Sequence, residues 1–439
     1  MKPTTAAWFR LSASAGVLLA LFASGAAAEA FYYHEVERAG IVYVFSSADS
    51  FARWEASDDE VDGGITRAGY GPEGKTVVFD AERAVALYNF RHGLPGEDLP
   101  DREPDTPAKL RWSGGKTTLE LDGARLVLSN RLQFRWTRLD ADDVIDSRGS
   151  FRIRRAKTKL QASVFSPHLQ FTLQLNWAST ANSLEDAYLA WDASKTGALQ
   201  IRLGQFKAPF GRQEMTSSGS QQFVDRSSVS SEFAKGRDIG VQAFGRTRSG
   251  RFEYFVGVFN GNGVNRVVND NDSYQFDARV VWNPNGDPKV SEVDFESSDR
   301  PLWSLAAGYE YNNRRLLLDD VPEFQRSTWG VDGVFKYRGV FLTAEGYLRR
   351  MTPESGDAFD SDGYFLQGGY RFATRWELAG RWGWWDRNAT VADDERTELA
   401  GALSYYHAKH ALKVQADLRR LEVGDRASHE LRVQTQFAF

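Results

Sequence analysis

From about Arg111 to the last residue, apolar and polar side chains alternate one by one, segment after segment. Alternation with period two places successive side chains on opposite faces of a strand, so this pattern commits most of the chain to β-sheet. Leu126, Leu128, Leu132, Phe134 and Trp136 take one face, and Arg125, Ser129, Arg131, Gln133 and Arg135 take the other. Leu169, Phe171, Leu173, Leu175 and Trp177 oppose Gln170, Thr172, Gln174 and Asn176; Leu412, Val414, Ala416 and Leu418 oppose Lys413, Gln415, Asp417 and Arg419. Sixteen such segments can be traced, near 124–138, 151–165, 169–178, 184–193, 199–209, 238–248, 251–260, 273–283, 301–312, 327–338, 340–350, 363–372, 375–385, 397–407, 411–421 and 429–439. Residues 116–122 are open as an extension of the first.

The polar faces carry Arg, Lys, Gln, Asn and Asp, which a dry core could not hold without large desolvation costs. The apolar faces need a non-aqueous neighbour. A sheet in lipid must close on itself, because every backbone group has to be paired, and sixteen strands leave an aqueous lumen. The connections agree with a barrel of this kind, in which short turns at one end alternate with long loops at the other. Ser166-Pro167-His168, Ala373-Thr374 and Ala408-Lys409-His410 are short, whereas 139–150, 313–326, 351–362 and 386–396 are long. Pro284 to Arg300 breaks the alternation, being long on the short-turn side. The last segment ends on Phe437 and Phe439, which the alternation points outward, into an aromatic girdle. The expected fold is all-β: a 16-stranded antiparallel transmembrane β-barrel over 106–439, preceded by a small α+β N-terminal module.

The chain before the barrel reads differently. Lys2 and Arg10 precede the apolar run Leu11 to Ala23, followed by Ser24-Gly25-Ala26-Ala27-Ala28. The run is shorter than the roughly 20 residues of a membrane-spanning helix and reads as a signal peptide over 1–28. Export to the outer membrane of a Gram-negative bacterium follows as an expectation. Within 29–105, strand-like runs at Ile41–Phe45, Ile65–Tyr70 and Lys75–Phe79 alternate with two short helices. Ser47 serves as a cap for the first helix, and Asp80 for the second, which runs through Asn89 and stops before Gly93. Leu94 to Pro107 reads as a linker. With 13 Trp, 16 Tyr, 29 Phe and 39 Gly the composition suits a large β-structure. A net charge of -5 gives no reason to expect a nucleic-acid partner, and no Cys is available for disulfides, thiolate metal sites or a thiol nucleophile.

Residues 150–263 resemble the phosphate-selective porins O and P. The resemblance rests on Gly149-Ser-Phe-Arg-Ile-Arg-Arg-Ala-Lys-Thr-Lys-Leu160, Leu184-Glu-Asp-Ala-Tyr188 and Leu203-Gly-Gln-Phe-Lys-Ala-Pro-Phe-Gly211. It continues through Met215-Thr-Ser-Ser218, Gly236-Arg-Asp-Ile-Gly-Val241 and Val258-Phe-Asn-Gly-Asn262. The 31–105 module has no counterpart in that resemblance. The family implies a homotrimeric outer-membrane channel whose third outer loop, here Gly211 to Arg237, folds inward and narrows the lumen.

Basic residues cluster on the inward parity of the early strands: Arg131, Arg135, Arg155, Lys157, Lys159 and Arg202. Lys207 and Arg212 stand at the entrance of the loop, and Arg226 and Arg237 lie farther along it. A ladder of cations lets an anion step between adjacent weak sites while repelling cations, and the guanidinium fork suits phosphate oxygens. Each of these residues has an alternative role as a wall charge paired with a carboxylate, for which Asp186, Asp277 and Glu377 are available. The reading is a water-filled, anion-preferring channel for small solutes such as phosphate or polyphosphate, with outer-membrane lipid around it. A general porin, a sugar- or carboxylate-specific porin, and a plugged barrel with a binding or structural role are the alternatives. No G-x-S-x-G, P-loop or H-E-x-x-H pattern points to catalysis, and no cofactor is expected. His407 and His410 fall at a strand end and turn, where their rings need not converge on a metal. Asp58-Asp59-Glu60 and Asp393-Asp394-Glu395 read as solvated loops.

Overall fold

The computed structural model describes residues 32–56, 61, 63–94, 109–121, 124–141, 148–179, 183–266, 268–269, 273–314 and 324–439. The signal peptide, most of the linker and the run Asp58-Asp59-Glu60 lie outside these. Two compact units, Met1–Glu103 and Pro104–Phe439, make up the chain.

In the first unit β1 (His34–Arg38), β2 (Ile41–Phe45), β3 (Ile65–Arg67) and β4 (Thr76–Phe79) form one sheet in the order β1-β2-β4-β3. β2 and β4 run parallel, and the two outer pairs are antiparallel. The alternation of β2 divides its side chains between two helices. Val42 and Val44 join Val77 and Phe79 beneath Ala84, Val85 and Tyr88 of the helix Glu82–His92. Tyr43 and Phe45 pack on Trp54 of the helix Ala48–Ala56. β1 is absent from the sequence reading because His34-Glu-Val-Glu-Arg38 has one apolar residue and no hydrophobic face. Ser47 Oγ accepts from Ser50 N at 3.5 Å, as its capping role requires. Asp80 does not cap the second helix, whose N-cap is Ala81. Its carboxylate instead accepts from Ser46 N at 2.9 and 3.0 Å and from Ser46 Oγ at 3.0 Å, which ties β4 to the end of β2. Gly93 ends the helix in the left-handed region, φ 62°.

The second unit is a closed barrel of sixteen antiparallel strands, from β7 (Ala124–Ala141) to β22 (Arg426–Ala438), each hydrogen-bonded to the next. β22 closes on β7 with Ala438 opposite Arg131 and Ser428 opposite Ala141. All sixteen expected segments are strands. Residues 116–122 do not lengthen the first of them: β6 (Lys116–Leu121) doubles back to pair with Ala124–Leu128, and β5 (Lys109–Ser113) pairs with β6. This hairpin covers the stretch of β7 that β22 is too short to reach, so no backbone edge is left open there.

Large apolar side chains such as Phe134, Ile153, Val331, Leu366 and Leu399 stand exposed on the outer wall, while Gln242, Asp277, Arg279, Glu310 and Gln434 are buried inside. That inversion is stable only with hydrocarbon outside and polar partners within. The tight turns Arg338-Gly339 and Ala373-Thr374 both have two consecutive positive φ values (46° and 83°, 46° and 56°), the geometry that matches strand twist in two-residue hairpins. Phe437 and Phe439 stack at 5.2 Å on the outer face of the short-turn end.

Two strands carry an extra residue. In β8 (Arg148–Ser163), Gln133 faces Arg155 and Phe134 faces Ile153, which leaves Arg154 bulged. In β10 (Leu184–Asp192), Leu184 faces Leu175 and Asp186 faces Gln174, which leaves Glu185 bulged. A bulge sets two neighbouring side chains toward one face and shifts the alternation beyond it.

Candidate functional site

The connection from Ala208 to Gly236 folds into the barrel. It crosses the lumen and is fixed to the far wall by main-chain groups donating to wall carboxylates. Gln213 N donates to Glu345 Oε1 at 2.6 Å, Val224 N to Asp417 Oδ2 at 3.2 Å and Ser228 N to Glu398 Oε2 at 2.7 Å. A short helix, Ser228–Phe233, is capped by Ser227 Oγ, which accepts from Val229 N at 3.1 Å. Val229 and Phe233 pack with Phe210 against Tyr347, Phe365 and Trp385, a dry cluster inside an otherwise polar barrel. Gly363 makes room for it, since a Cβ there would lie 2.8 Å from the Phe233 ring.

From the short-turn end, residues 284–300 also enter the barrel, which accounts for their length. Val293, Glu292 and Asp294 are buried. Glu292 meets the infolded loop, with Glu292 N donating to Ser220 O at 2.9 Å and its carboxylate accepting from Gln222 N at 3.0 Å.

Together these segments fill the side of the lumen bounded by the later strands. Space remains along β7 to β12 (Arg237–Arg246), as a cavity of about 400 Å³. Nine cationic side chains line it against two carboxylates, Glu185 and Asp186, so the cavity is strongly positive. A second cavity shares Arg131, Lys157, Lys159 and Gln174 with it and reaches Gly115 and Ala438 at the short-turn end. A third shares Arg154, Arg155 and Arg226 and reaches Arg396 and Leu421 at the long-loop end. The three follow one another along the barrel and share basic lining residues, which makes a basic tract.

Eight of the ten cations singled out in the sequence line the first cavity: Arg131, Arg155, Lys157, Lys159, Arg202, Lys207, Arg226 and Arg237. Lys157 pairs with Glu185 at 2.5 Å, and Arg237 with Asp186 at 2.6 Å. Arg226 pairs with Glu214 at 3.1 Å, while Lys207 Nζ donates to Thr216 O at 3.2 Å and lies 3.7 Å from Glu214. Arg131 Nη1 donates to Ser217 Oγ at 3.2 Å. The Arg202 guanidinium sits 4.6 to 5.1 Å from the rings of Phe244, Tyr188 and Phe206. Among the described residues Lys159 has no hydrogen-bond or ion-pair partner.

Arg135 and Arg212 lie apart from the cavity. Arg135 is fully buried, pairs with Asp225 at 2.5 Å and donates to Gln434 and to Val224 O, so it holds the infolded loop. Arg212 Nη2 donates to Lys289 O at 2.8 Å and bridges the loop to the inner connection. Asp225 is faced by four guanidinium groups, those of Arg135, Arg154, Arg155 and Arg432, within 3.6 Å. Burial alone would raise its pKa, but the Arg135 hydrogen bond and the charges of Arg135, Arg154 and Arg155 hold the carboxyl well below the usual carboxylate range. Of the carboxylates considered as partners, Asp186 has that role. Asp277 accepts from Gln275 and Glu377 from Gln222 and Tyr406, away from the cavity.

Strict alternation hides Arg154 and Glu185, both of which the bulges bring to the cavity. The signal for the first is the outward apolar set, which changes parity from Phe151 and Ile153 to Ala156, Leu160 and Ala162. Asp225, Glu214 and Glu292 carry no periodic signal, since each lies in an irregular connection. His410 packs on Phe295 and Tyr406, with Nε2 3.0 Å from Ser291 Oγ, and no cluster of metal-ligating side chains occurs among the described residues.

A closed sixteen-stranded barrel with an apolar outer wall, a polar interior and an infolded loop that narrows it is a membrane channel of the porin class. The sequence model of the family described as phosphate-selective porin O and P matches residues 128–439, and the chain belongs to that family of bacterial outer-membrane porins. An uncharacterized protein of Aquifex aeolicus is 21% identical over 282 residues, 57% of this chain and 67% of that protein. Solved structures share the fold at low identity. An anion-selective porin from Comamonas acidovorans has a TM-score of 0.54 at 10% identity, covering 72% of this chain and all of that one. Salmonella typhi OmpF, solved in complex with daunomycin, has 0.52 at 13% identity, covering 73% of this chain and all of that one. A loop-deletion mutant of Vibrio cholerae OmpT has 0.52 at 12% identity over 72% of this chain and all of that one.

Proposed function

We propose that this porin conducts small anions, phosphate and polyphosphate among them, along the basic tract. The observation that carries this reading is the charge imbalance of the cavity, nine cations against two carboxylates. A half-buried cation with no carboxylate partner is costly unless water or a counter-anion solvates it, so Lys159, Arg131 and Arg202 favour a passing anion over an empty, dry passage. The paired cations keep the sites weak enough to release what they bind. The fold this chain shares with the anion-selective porin from Comamonas acidovorans supports the same reading.

In this reading residues 1–28 are a cleaved signal peptide, 29–105 a periplasmic module with its linker, and 106–439 the barrel, set in the outer membrane of a Gram-negative bacterium. The chain assembles as a homotrimer, which the trimer form of Vibrio cholerae OmpT supports by analogy. Periplasmic short turns and outer long loops follow the usual orientation of such barrels. The test is block of chloride current by inorganic phosphate in planar bilayers. Saturable block by millimolar phosphate is expected, with neutral sugars at the same concentration leaving the current unchanged; block by the sugars and not by phosphate would favour a sugar channel.

A further inference from the structure

The inner connection 284–300 is fixed at two levels. Near its base, Asp294 accepts from Gly339 N at 2.8 Å, Arg371 Nε donates to Asp294 O at 3.2 Å, and Phe295 packs on Tyr406 at 5.0 Å. Near its tip, the Glu292 carboxylate accepts from Gln213 Nε2 at 3.1 Å, Gln222 N at 3.0 Å and Gln367 Nε2 at 2.9 Å. Two of those donors belong to the infolded loop and the third to the wall. One carboxylate therefore joins both segments to the barrel.

The wall behind them has a different electrostatic character from the open tract. Its buried charges balance in number: Arg279 pairs with Asp332 at 2.6 Å, Arg326 with Glu310 at 2.5 Å and Arg381 with Glu398 at 3.2 Å, while Lys336 and Lys413, without an ion pair among the described residues, are offset by Asp277, Glu345 and Glu377. A passage along such a wall would meet little net charge. The tract opposite holds an excess of cations.

We infer that 284–300 is a second constriction element, which confers anion preference by closing the charge-balanced side of the lumen, with Glu292 as the residue that positions the infolded loop. Without the connection, a parallel path opens along the balanced wall, and ions of either sign use it. Selectivity then falls while conductance rises, although no cation of the tract has been altered. This inference rests on the anion-preferring reading above for its sign, but not for its effect on conductance.

The experiment compares native protein with three variants in planar bilayers, each first shown to fold by its heat-dependent electrophoretic shift. The variants are a replacement of 286–299 by Asn-Gly, Glu292→Ala, and Lys409→Ala. The last removes the exposed contact of Lys409 with Glu296, 2.7 Å, and its approach to the Phe295 ring, 5.9 Å, and leaves the Glu292 and Asp294 anchors in place. The replacement should raise single-channel conductance about two-fold or more and move the zero-current potential in a salt gradient toward zero. Glu292→Ala should shift both in the same direction by a smaller factor, and Lys409→Ala should leave both at native values. Unchanged conductance in a folded replacement variant, or in folded Glu292→Ala if the replacement does not fold, would overturn the inference. A native channel that favours cations would instead defeat the anion reading, while a conductance rise in the variants would still assign the constriction to 284–300.

Discussion

At the scale of single residues, the cations of the tract differ in what opposes them. Lys157 and Arg237 face carboxylates at 2.5 and 2.6 Å, so they shape the wall more than they attract solute. Lys159 has no such partner among the described residues and stands where two of the cavities meet. Lys159→Glu should therefore lower the chloride-over-potassium permeability ratio by about two-fold or more, since charge in a low-dielectric passage acts on every ion that passes. Lys159→Gln should give an intermediate ratio in the same salt-gradient measurement. Asp225 acts by position, because its carboxylate connects the loop to Arg135. Asp225→Asn leaves the buried guanidinium uncompensated, a loss of about 3–5 kcal/mol when a buried pair is broken, and should appear as noisier, larger single-channel currents. A carboxyl whose folded pKa is depressed contributes stability above its unfolded value near 3.9 and loses it as pH falls through the folded value. For Asp225 that window lies in strong acid, so native conductance should not show loop release between pH 7 and pH 4. A step increase in that range would contradict the role given to Asp225.

At the scale of elements, alternation made the sixteen strands legible and misled where the backbone departs from it. One extra residue in β8 was enough to turn Arg154 toward the lumen, and one in β10 did the same for Glu185. Both could be found only as a change of parity in the apolar face. The connections were legible by length but not by destination. Pro284 to Arg300 was visibly too long for a turn, yet Glu292's partners Gln213, Gln222 and Gln367 lie 79, 70 and 75 residues away in sequence, and no local pattern encodes such contacts. In the N-terminal module, the charged β1 was hidden for lack of an apolar face, and Asp80 was misassigned because capping and strand-tying use the same acceptor atoms. The module has its own core, so a fragment spanning residues 32–94 should fold by itself with a cooperative thermal transition. Phe79→Ala should cost about 3–5 kcal/mol, comparable with the whole stability of a small domain, and abolish that transition. Burial opposes ionisation of Glu35, but hydrogen bonds from His92 and Tyr33 and the charges of His92 and Arg91 outweigh it and lower its pKa. The stability it contributes is present above about pH 4.3 and lost as pH falls through the lowered value. The fragment's Tm should thus decline below pH 4 in wild type, and Glu35→Gln should flatten that part of the curve.

At the scale of the whole molecule, the barrel supplies a lumen much wider than the passage it leaves. The loop from one end and the connection from the other meet through Glu292 and occupy the later-strand side, so the remaining path lies against β7 to β12. A channel placed against one wall takes the charge of that wall, here an excess of Arg and Lys. The alternation required a wet interior; the eccentric passage follows from two irregular segments that alternation cannot describe. The most direct test is the zero-current potential of the purified, folded protein in a planar bilayer across a potassium chloride gradient. A potential on the chloride side, shrinking toward zero in Lys159→Glu, is the predicted result. A potential on the potassium side in the native protein would contradict the basic tract as the path of the permeating ion.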